Sequence, residues 1–276
     1  NMEKSRALFD DVMRRTGPTH HPCVGSIAHS IGRYQDYEGR LFHEFAVDWG
    51  EQPGSIGNSD VTQSRGPIDF RVHHYRRWVR EAGFRGLYVD ENYIGLDRNP
   101  LTGGAYVRPD GRLQCGYTYL GLREYYKRMM TMFYQEGVSR PNIWLHTTGG
   151  AAYHAWLGDI FMEGENVEPS DEEWDYLEVL PAGRMIAIGS PTCNGALTIM
   201  MCQAQRHSSS LAAKHIHQFL GWILAHDIMP EQVRWFGPLA QAGRFHADNV
   251  SFEGYWKKNP SVWSRAEGGL VSVHRT

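Results

Sequence analysis

Apolar residues recur at helical spacing in several stretches of the chain, separated by short continuous apolar runs. Ile68, Val72, Tyr75 and Val79 lie on one face of a helix and Gly83 follows as a cap, so a helix is expected over Ile68 to Ala82. Met2 to Arg15 reads as a shorter amphipathic helix. Tyr119 to Glu136 is a longer one, whose Leu122, Tyr126, Met129, Met130 and Phe133 share a face before Gly137. Leu211 to Ala225 repeats the pattern through Ile216, Phe219, Leu220, Ile223 and Leu224. Strands are expected at Pro22 to Ala28, Leu41 to Val47, Gly86 to Glu91, Asn142 to Thr147, Gly158 to Met162 and Arg184 to Ile188. Strands alternating with helices imply an α/β fold with a parallel sheet and helices packed outside it.

Two long polar segments interrupt this alternation, Gly50 to Gly66 and Gly95 to Gly116, and loops of that length inside a compact domain usually carry function. Within the second, Val107 to Leu113 reads as a hairpin turning at Pro109-Asp110-Gly111. Because it follows an acidic strand end, it is a candidate substrate lid. Near the end, Leu270 to Arg275 alternates like a strand of an antiparallel sheet. Either it begins a further β-rich region or it pairs elsewhere in the same domain, since a lone strand is not stable.

The chemistry concentrates at strand ends. Gly86 to Tyr93 is an apolar run that stops abruptly at Asp90 and Glu91, and an acid at the carboxyl end of a parallel strand is where an α/β barrel places its reacting groups. The plainer alternative is that one of the pair caps a turn. Asn142 to Thr147 ends in His146 and Thr147 before the glycines Gly149 and Gly150, and His146 is expected either to face substrate or to steady its own loop. Asp159 to Glu163 ends in Glu163, with Glu165 two residues on, ahead of an acidic run that reads as solvated. Two carboxyl groups across a cleft are what glycosidic cleavage needs: one protonates the leaving oxygen and the other attacks or stabilises the anomeric centre. Trp49, Tyr93, Tyr117 and Trp144 lie near strand ends, where flat rings can stack on sugars. His43 closes an earlier strand and could contact a sugar hydroxyl.

Composition narrows the classes. At 276 residues the chain can bury a substantial core, and its net charge of −3 with no basic run gives no nucleic-acid signature. No stretch approaches the ~18 consecutive apolar residues of a membrane span, and the start is polar and unlike a secretory signal. The four cysteines lack paired C-x-x-C spacing, and the adjacent histidine pairs lack the i, i+4 arrangement of a helical metal site, so no metal or other cofactor is expected. A metallohydrolase built on His146, His43 and a carboxylate is the minor alternative. A serine hydrolase is disfavoured by the absence of a Gly-x-Ser-x-Gly elbow.

Taken together, the run from Gly86 to Asn92, the hairpin from Tyr106 to Arg112, Leu122 to Arg128, the strand from Trp144 to Thr148 and the end from Met162 to Glu165 resemble the barrel of glycoside hydrolase-type proteins related to glycoside hydrolase family 123. The likeness is strongest from Gly83 to Asn166. It implies a (β/α)8 TIM-like barrel over residues 1–265, incomplete or truncated at this length, with the start of a C-terminal β-rich region over 266–276. It also implies action on glycosides and a secreted or periplasmic location, with an additional β-sandwich domain or a homo-oligomer as protein partner. In that family an adjacent Asp-Glu pair works with substrate assistance. Carried over, Asp90 orients the 2-acetamido group that attacks the anomeric carbon and Glu91 is the general acid. Without an acetamido group on the substrate, Glu163 or Glu165 would serve as nucleophile or base. A barrel that grips a glycan without cleaving it is the principal rival reading.

Overall fold

The computed structural model describes residues 26–30, 64–90, 92, 94–147, 157–165, 167, 175–189, 195–202, 209–231, 250–258 and 260–275, together with Glu3, Lys4, Arg6, Ala7, Asp10, Asp11 and Arg14. Two compact units emerge, one from Asn1–Thr147 with Leu157–Asp159 and the other from Thr148–Trp156 with Ile160–Thr276.

The first unit contains strand β1 (Ser26–Ser30), helix α1 (Arg65–Ala82), β2 (Gly86–Asp90), the short strands β3 (Leu96–Asp97), β4 (Tyr106–Val107), β5 (Leu113–Gln114) and β6 (Gly116–Tyr117), helix α2 (Tyr119–Gln135) and β7 (Asn142–His146). β1, β2 and β7 pair in parallel, with Ser26 opposite Gly86 and Gly86 opposite Asn142. Alternation along β2 and β7 separates two faces. Leu87, Val89, Ile143 and Leu145 are buried, whereas Tyr88, Asp90 and Trp144 on the other face keep part of their surface in solvent. Leu122, Tyr125, Tyr126, Met129, Met132 and Phe133 form the buried stripe of α2 at helical spacing. α1 stops where expected, at Gly83 in the left-handed region (φ 76°), whose N–H bonds the Val79 carbonyl. The Arg6 side chain lies beside Gly83, and the described residues of the N-terminal segment are helical, as its periodicity indicated. The guanidinium of Arg80 on α1 forks onto the carboxylate of Glu136 at the end of α2, at 2.6 and 2.9 Å.

The second unit contains β8 (Ile160–Glu163), α3 (Tyr176–Val179), α4 (Ala182–Gly189), β9 (Leu197–Met200), α5 (Ser209–Leu224), β10 (Met229–Pro230), β11 (Ser251–Glu253) and β12 (Val273–Arg275). β8, β9 and β10 are parallel. Its core joins Tyr176, Leu180, Met185, Ile188, Met200, Cys202, Phe219, Trp222, Ile223 and Ile228. The hydroxyl of Tyr176 lies 3.7 Å from Cys202 Sγ, and Trp222 Nε1 donates to the Leu180 carbonyl at 2.7 Å.

Several expectations need correction. A closed (β/α)8 barrel is not observed: the fold is mixed α/β, and its parallel strands do not close on themselves among the described residues. Arg184 to Ile188 is not a strand but part of α4, because the Pro181 carbonyl accepts from the Arg184 and Met185 amides and so starts a helix that buries Met185 and Ile188 three apart. β9 was not anticipated. The expected strand at Leu41 to Val47 lies outside the described residues. The C-terminal strand does find a partner, since β12 pairs antiparallel with β11 in the same unit.

Beneath that β11–β12 pair, His226 is packed among rings. Trp256 stacks on it at 5.5 Å, and Trp222 and Tyr255 meet it edge-on. His226 Nδ1 donates to the Trp222 carbonyl at 2.7 Å, which leaves Nε2 to accept from the Tyr255 hydroxyl at 2.8 Å. Burial pushes the imidazole below its ordinary range, partly offset by the Trp222 carbonyl, and burial also pushes the Tyr255 phenol up. The ionisable neighbours Asp227 and His274 pair at 3.7 Å. With the folded pKa depressed, the unfolded chain takes up the His226 proton first. The stability it confers is therefore complete above about pH 6.5 and is lost as pH falls below that. Thermal midpoints measured from pH 7 to pH 5 are expected to fall more steeply for the wild type than for His226→Gln; parallel slopes would refute this.

Candidate active site in the first unit

Register builds the site. Because Tyr88 lies opposite Trp144 and the strands run in parallel, Asp90 and His146 come two residues later at the carboxyl ends of β2 and β7, on the same face. Tyr88 packs edge-on against Trp144, with ring centres 5.4 Å apart at 90°. The Asp90 Oδ1 atom stands 2.8 Å from His146 Nδ1, and the Tyr88 hydroxyl stands 3.0 Å from the same nitrogen. His146 is buried at 3% exposure and Thr147 is equally enclosed, whereas 41% of the Asp90 side chain is open to solvent.

Convergence on one nitrogen constrains the proton. An ionised carboxylate only accepts, so Nδ1 carries the hydrogen and donates it to Asp90, with the Tyr88 oxygen as a second acceptor. In the neutral ring Nε2 then holds the lone pair. A carboxylate that fixes the tautomer and steadies a developing imidazolium is the arrangement that makes histidine an efficient base.

The backbone beneath the pair is equally well held. The Asn92 N–H donates to the His146 carbonyl at 3.0 Å, continuing the β2–β7 ladder past the strand end, and the Tyr126 hydroxyl of α2 donates to Asn92 Oδ1 at 2.6 Å. On the far side of β7, the Asp159 amide and carboxylate bond the Ile143 carbonyl and amide, both at 2.8 Å.

No protein-family model and no curated protein matches this chain.

After Asn92 the chain builds a cross-braced platform. Gly95 and Thr118 exchange two hydrogen bonds at 3.0 Å, and β3 pairs with β6. The fully buried Asp97 carboxylate accepts from the Asn99 amide at 2.9 Å and from the Thr102 hydroxyl. The expected hairpin is present as β4–β5, closed by the Arg108 amide on the Arg112 carbonyl at 2.8 Å, with Gly111 in the left-handed region. It presents Tyr106, Val107 and Leu113 to solvent, and Tyr117 beside it is 65% exposed.

In the second unit, Glu163 ends β8 buried at 4% exposure, and its carbonyl accepts from the Met201 amide at 2.7 Å. Gly164 follows at φ 97°, and Glu165 beyond it is partly exposed.

Of the residues singled out by sequence, Asp90 and His146 are brought into contact. Trp144 is linked to them through Tyr88, and Thr147 adjoins His146. Glu91, Tyr93, Trp49 and His43 lie outside the described residues. Sequence reasoning missed Tyr88, Asn92 and Tyr126 as site components. The signal for Tyr88 was available, because position i−2 from Asp90 shares its strand face.

Proposed function

We propose that this chain is a glycoside hydrolase that cleaves a glycosidic bond in an oligo- or polysaccharide, acting outside the cytoplasm. The observation that supports it best is the Asp90–His146 pair at the ends of two parallel strands, one partner enclosed and the other reaching solvent. An Asp90 held by an imidazole 2.8 Å away stays oriented. That suits a carboxylate that aligns a 2-acetamido group more than one that must give up a proton. Glu91 is then the general acid, and Asp90's negative charge beside it favours the protonated form that the role needs. Tyr117 and Trp144 offer rings to sugar faces.

The test is hydrolysis of a panel of aryl glycosides, with and without a 2-acetamido group. Turnover confined to 2-acetamido substrates is the expected result, and turnover of none, with glycan binding intact, favours the non-catalytic binder. A second reading, a metal-dependent hydrolase, is favoured by the same pair, since a carboxylate on one ring nitrogen commonly orients a histidine that binds metal through the other. Loss of turnover on chelation, restored by a divalent cation, would decide for it.

A further inference from the structure

We propose that Asn92 and Tyr126 act as positioning residues that set His146 against Asp90, an inference that rests on the proposed function, in which Asp90, held by His146, aligns the substrate. Asn92 occupies a singular place. It follows Asp90 by two residues along the chain, and its amide holds the carbonyl of His146 at 3.0 Å, so a single residue governs where both partners stand. Its own position is set in turn by the 2.6 Å bond from Tyr126, whose ring lies at 1% exposure among Leu122, Tyr125 and Met129 on the buried stripe of α2. Helix α2 thereby fixes the end of β7 through one hydroxyl and one carboxamide.

Asn92 is fully buried, and its Nδ2 has no hydrogen-bond partner among the described residues. Burying an amide with one end unmet is costly, and an apolar side chain there would pack without that cost. Among the described residues, the carboxamide's one hydrogen bond, from Tyr126, is the one that locates the site. Small displacements matter there, because a proton passes only within hydrogen-bond reach and a shift of about 1 Å can cost about a hundredfold in rate.

The experiment compares Tyr126→Phe with the wild type, since the ring is kept and only the hydroxyl is lost; Asn92→Ser is a second variant in case the first is silent in binding. With an active substrate, kcat is expected to fall about ten- to a hundredfold with KM within about twofold, and the pH profile of kcat/KM to change shape. Independently of turnover, the downfield proton resonance of the His146 Nδ1–H, assigned by its disappearance in His146→Gln, should broaden and exchange faster with solvent in both variants. Absence of turnover in the wild type would defeat the hydrolase reading, while the resonance would still decide the link. If the resonance and pH profile are unchanged in both variants and only the thermal midpoint falls, the residues are merely structural and the proposal is overturned.

Discussion

Asp90→Asn is expected to lower kcat by roughly 10²- to 10³-fold on the proposed hydrolase reading, the scale of losing one preorganised electrostatic contact to a reacting group. The carboxamide can present either N–H₂ or C=O to His146 Nδ1. In the first orientation two donors oppose each other, and the ring is driven to the other tautomer, with its lone pair on Nδ1 and its hydrogen on Nε2. In the second the tautomer survives, but the negative charge that would steady an imidazolium is gone. In either orientation the negative charge that aligns the acetamido group is lost. Little stability should be lost, because 41% of the Asp90 side chain already faces water and the strand pairing does not depend on it. Steady-state kinetics on the best substrate, with the thermal midpoint as control, measures the effect. Activity within tenfold of the wild type would place the pair outside the chemistry.

What could be read from the sequence was local. α1, α2, β2 and β7 were legible because each combines one periodicity with its own punctuation, Gly83 after α1 and Pro-Asp-Gly inside the hairpin. Arg184 to Ile188 was not, since a five-residue apolar run has no period of its own, and what decides for helix is the Pro181 carbonyl and the paired burial of Met185 and Ile188. β9 spans only Leu197–Met200, too short to stand out beside the turn at Gly195. The (β/α)8 barrel, complete or truncated, came from acidic strand ends and a family resemblance, and residue patterns do not count strands. His226 shows the same limit, for nothing local to it announces the rings that the β11–β12 pair brings to it.

The site divides along the same line. Asp90 and His146 could be named because each is a chemically capable residue at the end of an apolar run. Their contact could not, because it depends on the β2–β7 register, and a slip of one residue would turn one of them to the other face. Tyr126 was read as a core residue, and so it is, at 1% exposure; its hydroxyl acquires a second role only when α2 packs above Asn92. Core periodicity thus concealed a polar function.

Gly164→Ala is expected to destabilise the second unit by about 2–4 kcal/mol, from two penalties that fall on one atom. At φ 97° an L-residue is strained wherever it sits. An added Cβ would also stand 2.6 Å from the Met201 carbonyl oxygen and 2.9 Å from Met200 Cγ. The Met200 side chain can move. The Met201 backbone cannot do so cheaply, because its amide is bonded to the Glu163 carbonyl and Met200 is paired opposite Glu163 in β9. Gly195→Ala is the control, since Gly195 also has positive φ, 80°, but a Cβ there meets nothing within 4 Å among the described residues. Denaturant titration should show Gly164→Ala losing the larger amount, and equal losses would mean that close approach to Met201 is not what the glycine serves.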